Sequence, residues 1–304
     1  MPKLSLVIAA YDIPRQLTRT IQSLSPPLQR GVDPSQYELI VVDNGSEAPP
    51  DREACEAFGA RLRWLRLDDA PPSPARALNL GIAAARAPLV GAMVDGARLA
   101  SPRLLEQALL AARADPRPVI GTVGFHLGSE PQQQAVQAGY DEAAEAALLA
   151  EVEWTADGYR LFDVSVPGLS AGDDWLGVPT ESNAIFMPTA LWGELAGFDE
   201  RFAAPGGGLV NLDLFDRACS LPDSRLIMLL GEATFHQVHG GVSTNSPEPR
   251  YAEFHAEYVR LRGHELAPPR VRPLHIGSPS PEAIAALRRW AAPAAGHAPV
   301  GEGR

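Results

Sequence analysis

A chain of 304 residues, 45% hydrophobic and 21% charged, has the makeup of an ordinary globular protein and the length to bury a sizeable core, as one large α/β domain or two small ones. The formal net charge of −11 excludes nucleic acid as the main partner, because a phosphate backbone calls for a basic surface, but leaves room for a local basic pocket around a diphosphate. Two cysteines, Cys55 and Cys219, are too few for a disulfide framework, and no run approaches the roughly 18 apolar residues of a membrane span; the expectation is a cytoplasmic protein, with peripheral attachment to a membrane left open and no transmembrane segment.

Residues 4–9, LSLVIA, predict a buried strand, and 15–24 a helix with Leu17, Ile21 and Leu24 on one face. The opening MPKLSLVIAAYD is short for a signal peptide and lacks a cleavage region. YELIVVDNGS at 37–46 predicts a second strand ending in Asp43, then a helix at 51–58 and a strand at 61–67. The helix at 73–87 starts with Ser73 as cap and Pro74 in its first turn. A fourth strand, 88–94, ends at Asp95, and Ser101-Pro102 signals the next helix. Strands alternating with helices imply a parallel sheet, whose carboxyl edge collects Tyr11, Asp12, Asp43 to Ser46, Asp68, Asp69 and Asp95. Ligands bind at that edge in open α/β sheets.

The second half predicts a strand at 117–128, a helix over 131–150 and a long loop at 155–182 of the kind that forms binding loops or lids. A strand and short helix follow in NAIFMPTALWGELAGFDERF, then a glycine turn into a helix in GGGLVNLDLFDRAC. SRLIMLLGEATFHQVHGG predicts a strand ending in a histidine loop. A charged helix at 248–262 precedes a Pro- and Ala-rich tail with one helical piece at 281–290 and a mobile end.

In this order, LSLVIAAYDIPRQLTRTIQSL, YELIVVDNGS, ALNLGIAAARAPLVGAMVDGARLASP and GFDERF resemble the family-2 glycosyltransferases over residues 4 to about 240. The resemblance implies the α/β GT-A fold: a nucleotide-binding, Rossmann-like, mostly parallel sheet flanked by helices. Residues 1–245 would form the glycosyltransferase domain, with a nucleotide-binding half at 1–100 and an acceptor half at 101–245, and 246–304 a helical extension. It implies a nucleoside-diphosphate sugar as donor, a hydroxyl-bearing glycan or small molecule as acceptor, a role in glycan or polysaccharide assembly, and inversion at the transferred carbon. A divalent metal, Mg²⁺ or Mn²⁺, is an optional cofactor and a homo-oligomer an open possibility. Two departures stand out. The family's Asp-x-Asp-Asp reads Asp95-Gly96-Ala97-Arg98, and its Glu-Asp pair, whose Asp is the usual base, falls on Val210-Asn211.

The nucleotide site predicted from the resemblance comprises Ala10, Tyr11, Asp43, Arg76, Asn79, Asp95, Gly96 and Arg98. Asp43 would accept the imide proton of uracil or thymine, or else cap a turn. Tyr11 would stack on the base, or close a core edge. Arg76 and Asn79, one helical turn apart, would reach base or phosphate, or make a surface ion pair. Asp95 would hold ribose or metal, or cap a turn. Arg98, at the mouth of the cleft, would replace the missing metal charge on the diphosphate through its planar fork, or simply begin the next helix. His236 would be a metal ligand beside Asp95, His239 a weaker candidate, with Glu232 orienting His236. Phosphate oxygens and waters would complete the shell. The three glycines before Val210 would cradle phosphate or merely flex. The missing base leaves Asp173 and Asp174, beside a sugar-stacking or plugging Trp175, and Asp213, which a helix turns about 200° away from Asn211. A catalytically silent binder of the same fold is the rival reading. A sugar-nucleotide pyrophosphorylase would need a Gly- and Arg-rich loop, and AAYDIPRQ has no glycine.

Overall fold

The computed structural model describes residues 1–172, 174–241 and 250–291. In chain order the elements are β1 (Leu4–Ala10), α1 (Pro14–Ser23), β2 (Tyr37–Asp43), α2 (Arg52–Glu56), β3 (Leu62–Arg66), α3 (Ala75–Ala84), β4 (Leu89–Met93), β5 (Arg98–Ala100), α4 (Leu104–Ala111) and β6 (Pro118–Leu127). Then come α5 (Gln132–Ala135), α6 (Glu142–Glu151), β7 (Ser165–Pro167), β8 (Ala184–Pro188), α7 (Thr189–Leu195), α8 (Val210–Cys219), β9 (Arg225–His236), α9 (Tyr251–Arg262), β10 (Leu274–Ile276) and α10 (Pro281–Ala291).

One sheet runs in the order β10-β9-β6-β8-β4-β1-β2-β3, with β5 paired to β9 and β7 to β6. β1, β2, β3 and β4 are mutually parallel, the product of strand-helix-strand crossovers. β1 and β2 are buried along their whole length, as apolar strands covered on both faces must be. Leu17 and Ile21 of α1 join one buried cluster, and α3, α7 and α8 cover the other face with a second. α3 lies so close to the sheet that a β-carbon on Gly81 would come within 2.3 Å of the Val7 side chain, so only glycine fits there.

The reversal comes at β8, which runs antiparallel to both β4 and β6. Its register sets Met93 opposite Ala184. The residues just before β8 therefore lie beside those just after β4, which brings the segment from Glu181 next to the segment from Asp95. The edge segment β5 pairs antiparallel with β9 and sets Arg98 opposite His236.

Four expectations change. Arg98 opens a strand rather than a helix, and α4 starts only at Leu104. The helix predicted over 131–150 is two, because Gly139 takes a left-handed φ of 95° and Asp141 caps a fresh start, accepting from Ala143 N at 3.0 Å and Ala144 N at 2.9 Å. The long loop contains a 3₁₀ turn, Gly158–Val164, and β7. The extension is built into the fold: β10 adds to β9 in parallel, Trp290 of α10 packs edge-on to Phe125 at 6.1 Å, and Arg289 donates to the Phe162 carbonyl at 2.6 Å. The predicted mobile end, from 292 on, lies outside the described residues, as do 246–249.

Candidate active site

Parallel register brings the first two strand ends together: Ala10 pairs with Asp43, and Asn44 N donates to the Ala10 carbonyl at 2.8 Å. Tyr11 stands just beyond with 58% of its surface exposed, a free aromatic face at the rim. Asp43 is buried and is not the free acid that the sequence suggests. One oxygen accepts from Ser46 N at 2.9 Å and the other pairs with Arg66 at the end of β3. Arg66, which sequence reading passed over, also donates to the Ser46 carbonyl at 3.2 Å. Arg76 is exposed and forms no ion pair among the described residues. Asn79 is turned elsewhere: its amide donates to Phe198 O and to Glu200 Oε1, both at 2.9 Å, and accepts from Phe198 N at 2.8 Å, so it braces the GFDER turn.

Gly96 passes behind β1, where a β-carbon would come within 2.4 Å of the Ala9 carbonyl, and its own carbonyl accepts from Thr20 Oγ1 at 2.7 Å. This fixes Asp95, whose Oδ1 accepts from Ala97 N at 2.9 Å. Asp95 Oδ2 faces His236 Nε2 at 2.8 Å and His239 Nε2 at 3.4 Å, and the two imidazole nitrogens are 3.2 Å apart. Arg98 lies beneath with its Nε 3.9 Å from Asp95 Oδ2. It is 6% exposed, a floor rather than the mouth of the cleft, and its Nε and Nη1 have no hydrogen-bond partner among the described residues.

Burial disfavours the charge on Asp95, but His239 and His236 outweigh it and hold the carboxyl well below its usual range. Burial pushes His236 down to about 4 despite Asp95, so its ring is neutral at pH 7. His239 moves up, because Asp95 outweighs burial. Burial lowers Arg98 as well. His236 Nδ1 meets Gln132 Oε1, and Gln132 N donates to His126 Nδ1 at 2.9 Å. At 2.8 Å, His236 Nε2 can donate to Asp95 Oδ2 in the free protein; with the ring proton on Nδ1 instead, the carboxylate and the two rings each turn a lone pair toward one point, where a cation would be held. The three donor atoms lie within 4.8 Å of one another, at separations near those of adjacent ligands on one ion with bonds of roughly 2.1 Å. One carboxylate and two imidazoles suit Mn²⁺ or a later first-row ion better than Mg²⁺. His239 is thus a full member of the set, and Gln132, not Glu232, orients His236. Glu232 is engaged by Ser101 Oγ at 2.5 Å, Tyr159 at 2.8 Å and Arg103 N at 3.1 Å.

On the acceptor side the sequence candidates fall away from this centre. Asp213 is buried with both oxygens held by guanidiniums, Arg217 at 2.8 Å and Arg262, in a network that ties α8 to α9 and to Asp199. Two guanidiniums hold its charged form, and it is 1% exposed, so it is poorly placed to take a proton from an acceptor. Asp174 is exposed and accepts from Leu176 N at 2.7 Å, while Asp173 lies outside the described residues. Trp175 is a plug, buried against Phe125 and Phe162. The glycine turn at 206–208 packs on Pro72 and Pro74, not on an open phosphate site. Asn211 is buried and donates to Glu181 Oε2 at 2.6 Å. Glu181 is the acid that sequence reading missed. Its only signal was its place directly before a predicted strand.

The sheet, parallel across β3-β2-β1-β4 and reversed at β8, with helices on both faces, has the GT-A fold. The chain belongs to glycosyl transferase family 2: the model of that description matches residues 5–164, just over half of its length. The matched span includes Asp95 and Arg98 and stops short of Glu181, Asn211, His236 and His239. Among solved structures, S. aureus TarS superposes with a TM-score of 0.52 at 13% identity, over 85% of this chain and 42% of TarS. TarS 1–349 in complex with UDP-GlcNAc gives 0.51 at 14%, over 84% and 66%, and its complex with UDP 0.50 at 12%, over 85% and 70%. This chain therefore spans less than half of the longer TarS, and the likeness is one of fold. No curated protein sequence matches it.

Proposed function

We propose that this protein is a glycosyltransferase that moves a sugar, with inversion, from a nucleoside diphosphate to a hydroxyl acceptor in glycan or polysaccharide assembly. The observation that carries the reading is the convergence of Asp95, His236, His239 and Arg98 on the sheet edge that also presents Tyr11 and Asp43. The base would stack on Tyr11 beside Ala10, with Asp43, held by Arg66, accepting its imide proton and Arg76 free to reach the base or a phosphate. The ribose and diphosphate would lie over Asp95 and Gly96. A divalent ion, if used, would be held by Asp95, His236 and His239 and would supply positive charge to the leaving diphosphate. Arg98 supplies permanent charge from below, where low dielectric makes it count. Cleaving the bond from sugar to phosphate leaves negative charge on the diphosphate, and this fixed charge stabilises it as it develops.

The complexes of TarS with UDP and UDP-GlcNAc make uridine sugars the first donors to test. No helix among the described residues is long and apolar enough to cross a membrane. A thermal-shift panel of UDP, GDP and dTDP sugars, followed by measurement of nucleoside diphosphate released with and without Mn²⁺, tests the reading. Binding without any release would favour a silent binder, and no binding to any member would refute both.

A further inference from the structure

We infer that Glu181 is the general base that takes the proton from the attacking hydroxyl. This rests on the glycosyltransferase reading and adds to it the group that the reading lacks. Because β8 runs against β4, the Glu181–Asn183 segment lies beside Asp95, on the same edge as the proposed leaving group. Glu181 is half-buried. Arg98 Nη1 and Asn183 Nδ2 converge over Gly124, each 3.4 Å from the point that a β-carbon there would occupy.

The partners of Glu181 suit a base. Ser170 Oγ donates to Oε1 at 2.6 Å, Asn183 Nδ2 to Oε1 at 3.3 Å and Asn211 Nδ2 to Oε2 at 2.6 Å. All three donors are neutral. No arginine or lysine pairs with Glu181 among the described residues, in contrast to Asp213, whose oxygens are both taken by guanidiniums. Three donors fix the carboxylate, and its two oxygens, with about four lone-pair sites, keep acceptor capacity. Among the described residues, Asn211 Oδ1 beside it has no partner, nor do Arg98 Nε and Nη1 and Thr234 Oγ1, of which Nη1 and Oγ1 lie over Gly124 with Asn183 Nδ2. Asn211 and Arg98 are each 6% exposed. Buried polar groups of this kind are normally satisfied, and a hydroxylated ligand seated here would satisfy them. Asn211 thus has a new role. It cannot take a proton, but its amide holds the carboxylate that does.

The acceptor O–H gives its proton to a Glu181 oxygen while the acceptor oxygen bonds to the anomeric carbon. The bond from that carbon to the diphosphate oxygen breaks, and the nucleoside diphosphate leaves with the electron pair. Glu181 then returns the proton to solvent.

The test uses the full chain and UDP-GlcNAc, or whichever donor of the panel the wild type turns over fastest, with water and hydroxyl compounds as acceptors. Glu181→Gln should lower nucleotide release about 100- to 10,000-fold, the usual contribution of a general base, with UDP affinity within about twofold of wild type. Glu181→Asp should recover part of the rate, and the acidic limb of the wild-type pH–rate profile should be missing in Glu181→Gln. Turnover within about threefold of wild type in Glu181→Gln overturns the inference. So does an equal loss of UDP affinity and turnover, which would mark a structural role. A wild type that binds and releases no nucleotide refutes the glycosyltransferase reading and takes this assignment with it, before any variant is made.

Discussion

Arg98 offers the sharpest separation of stability from function. Its nearest carboxylate, Asp95 Oδ2, lies at 3.9 Å, too far for a hydrogen bond. At an effective dielectric of about 20 that attraction is worth about 4 kcal/mol. Against it stand a desolvation penalty of several kcal/mol for the buried ion and two unmade hydrogen bonds, at Nε and Nη1, of about 1–3 kcal/mol each. The balance is unfavourable in the free protein. Arg98→Met fills similar space without charge, and Asp95 is not stranded, because His236 and His239 still touch it. The ligand-free variant should therefore be more stable by about 1–4 kcal/mol, a rise in Tm of about 1.5–6 °C for a chain of this size. Its affinity for UDP should fall by about 1.5–3 kcal/mol, or roughly 10- to 150-fold, for one lost charge-assisted contact. Scanning calorimetry and titration calorimetry read the two quantities separately. A Met variant that melts below wild type and binds UDP as tightly would refute the reasoning, since the charge would then be structural.

Other outcomes follow from the same geometry. Mn²⁺ at about 100 times its dissociation constant should stabilise the wild type by about 2.7 kcal/mol, and His239→Ala should remove most of that shift, visible as a lost rise in Tm. Asp213→Asn should destabilise the fold by about 3–5 kcal/mol, because it leaves Arg217 and Arg262 facing a neutral amide, while UDP affinity stays near wild type. Burial pushes Glu145 up to about 7 from 4.5, against the pull of Val238 N, Arg19 and Arg15, while Glu142 adds to the rise. The folded state then holds the proton more tightly than the unfolded one, so stability falls as pH rises from about 4.5 through about 7 and is flat beyond. The drop is at most about 3 kcal/mol, and chemical denaturation across that range should show it in wild type and not in Glu145→Gln.

The first four strands were legible because each is an apolar run ended by a polar residue, and local pattern alone sets where Tyr11, Asp43 and Asp95 fall. The metal-type cluster was half legible. His236 and Asp95 carry a family signal, but whether His239 turns inward depends on a loop path that spacing does not encode. Asp43 kept its place but not its freedom, because Arg66 comes from the next strand and only parallel register brings the two together. Arg98 looked like a surface residue because nothing local says that three residues will pair with β9. Glu181 was invisible for a related reason. Its meaning comes from the direction of β8, and a five-residue apolar strand reads the same whether it runs parallel or antiparallel. Asp213 misled because acidity is written in the sequence and its two guanidinium partners, one of them on α9, are not.

That reversed strand also bears on how the protein comes to be active during folding. Asp95, Arg98, Glu181, Asn211 and the two histidines meet only when β8 has inserted between β4 and β6 and β9 has closed against β5. These are pairings between distant parts of the chain, the kind that form late and slowly. The nucleotide-binding crossovers, built from neighbouring segments, can form earlier. A nascent or truncated chain with only those crossovers would present Tyr11 and Asp43 without Glu181, Asn211 and the two histidines. On the proposed function, nucleotide recognition and the power to transfer a sugar would then be acquired at different moments, and a partly folded molecule would not consume its donor.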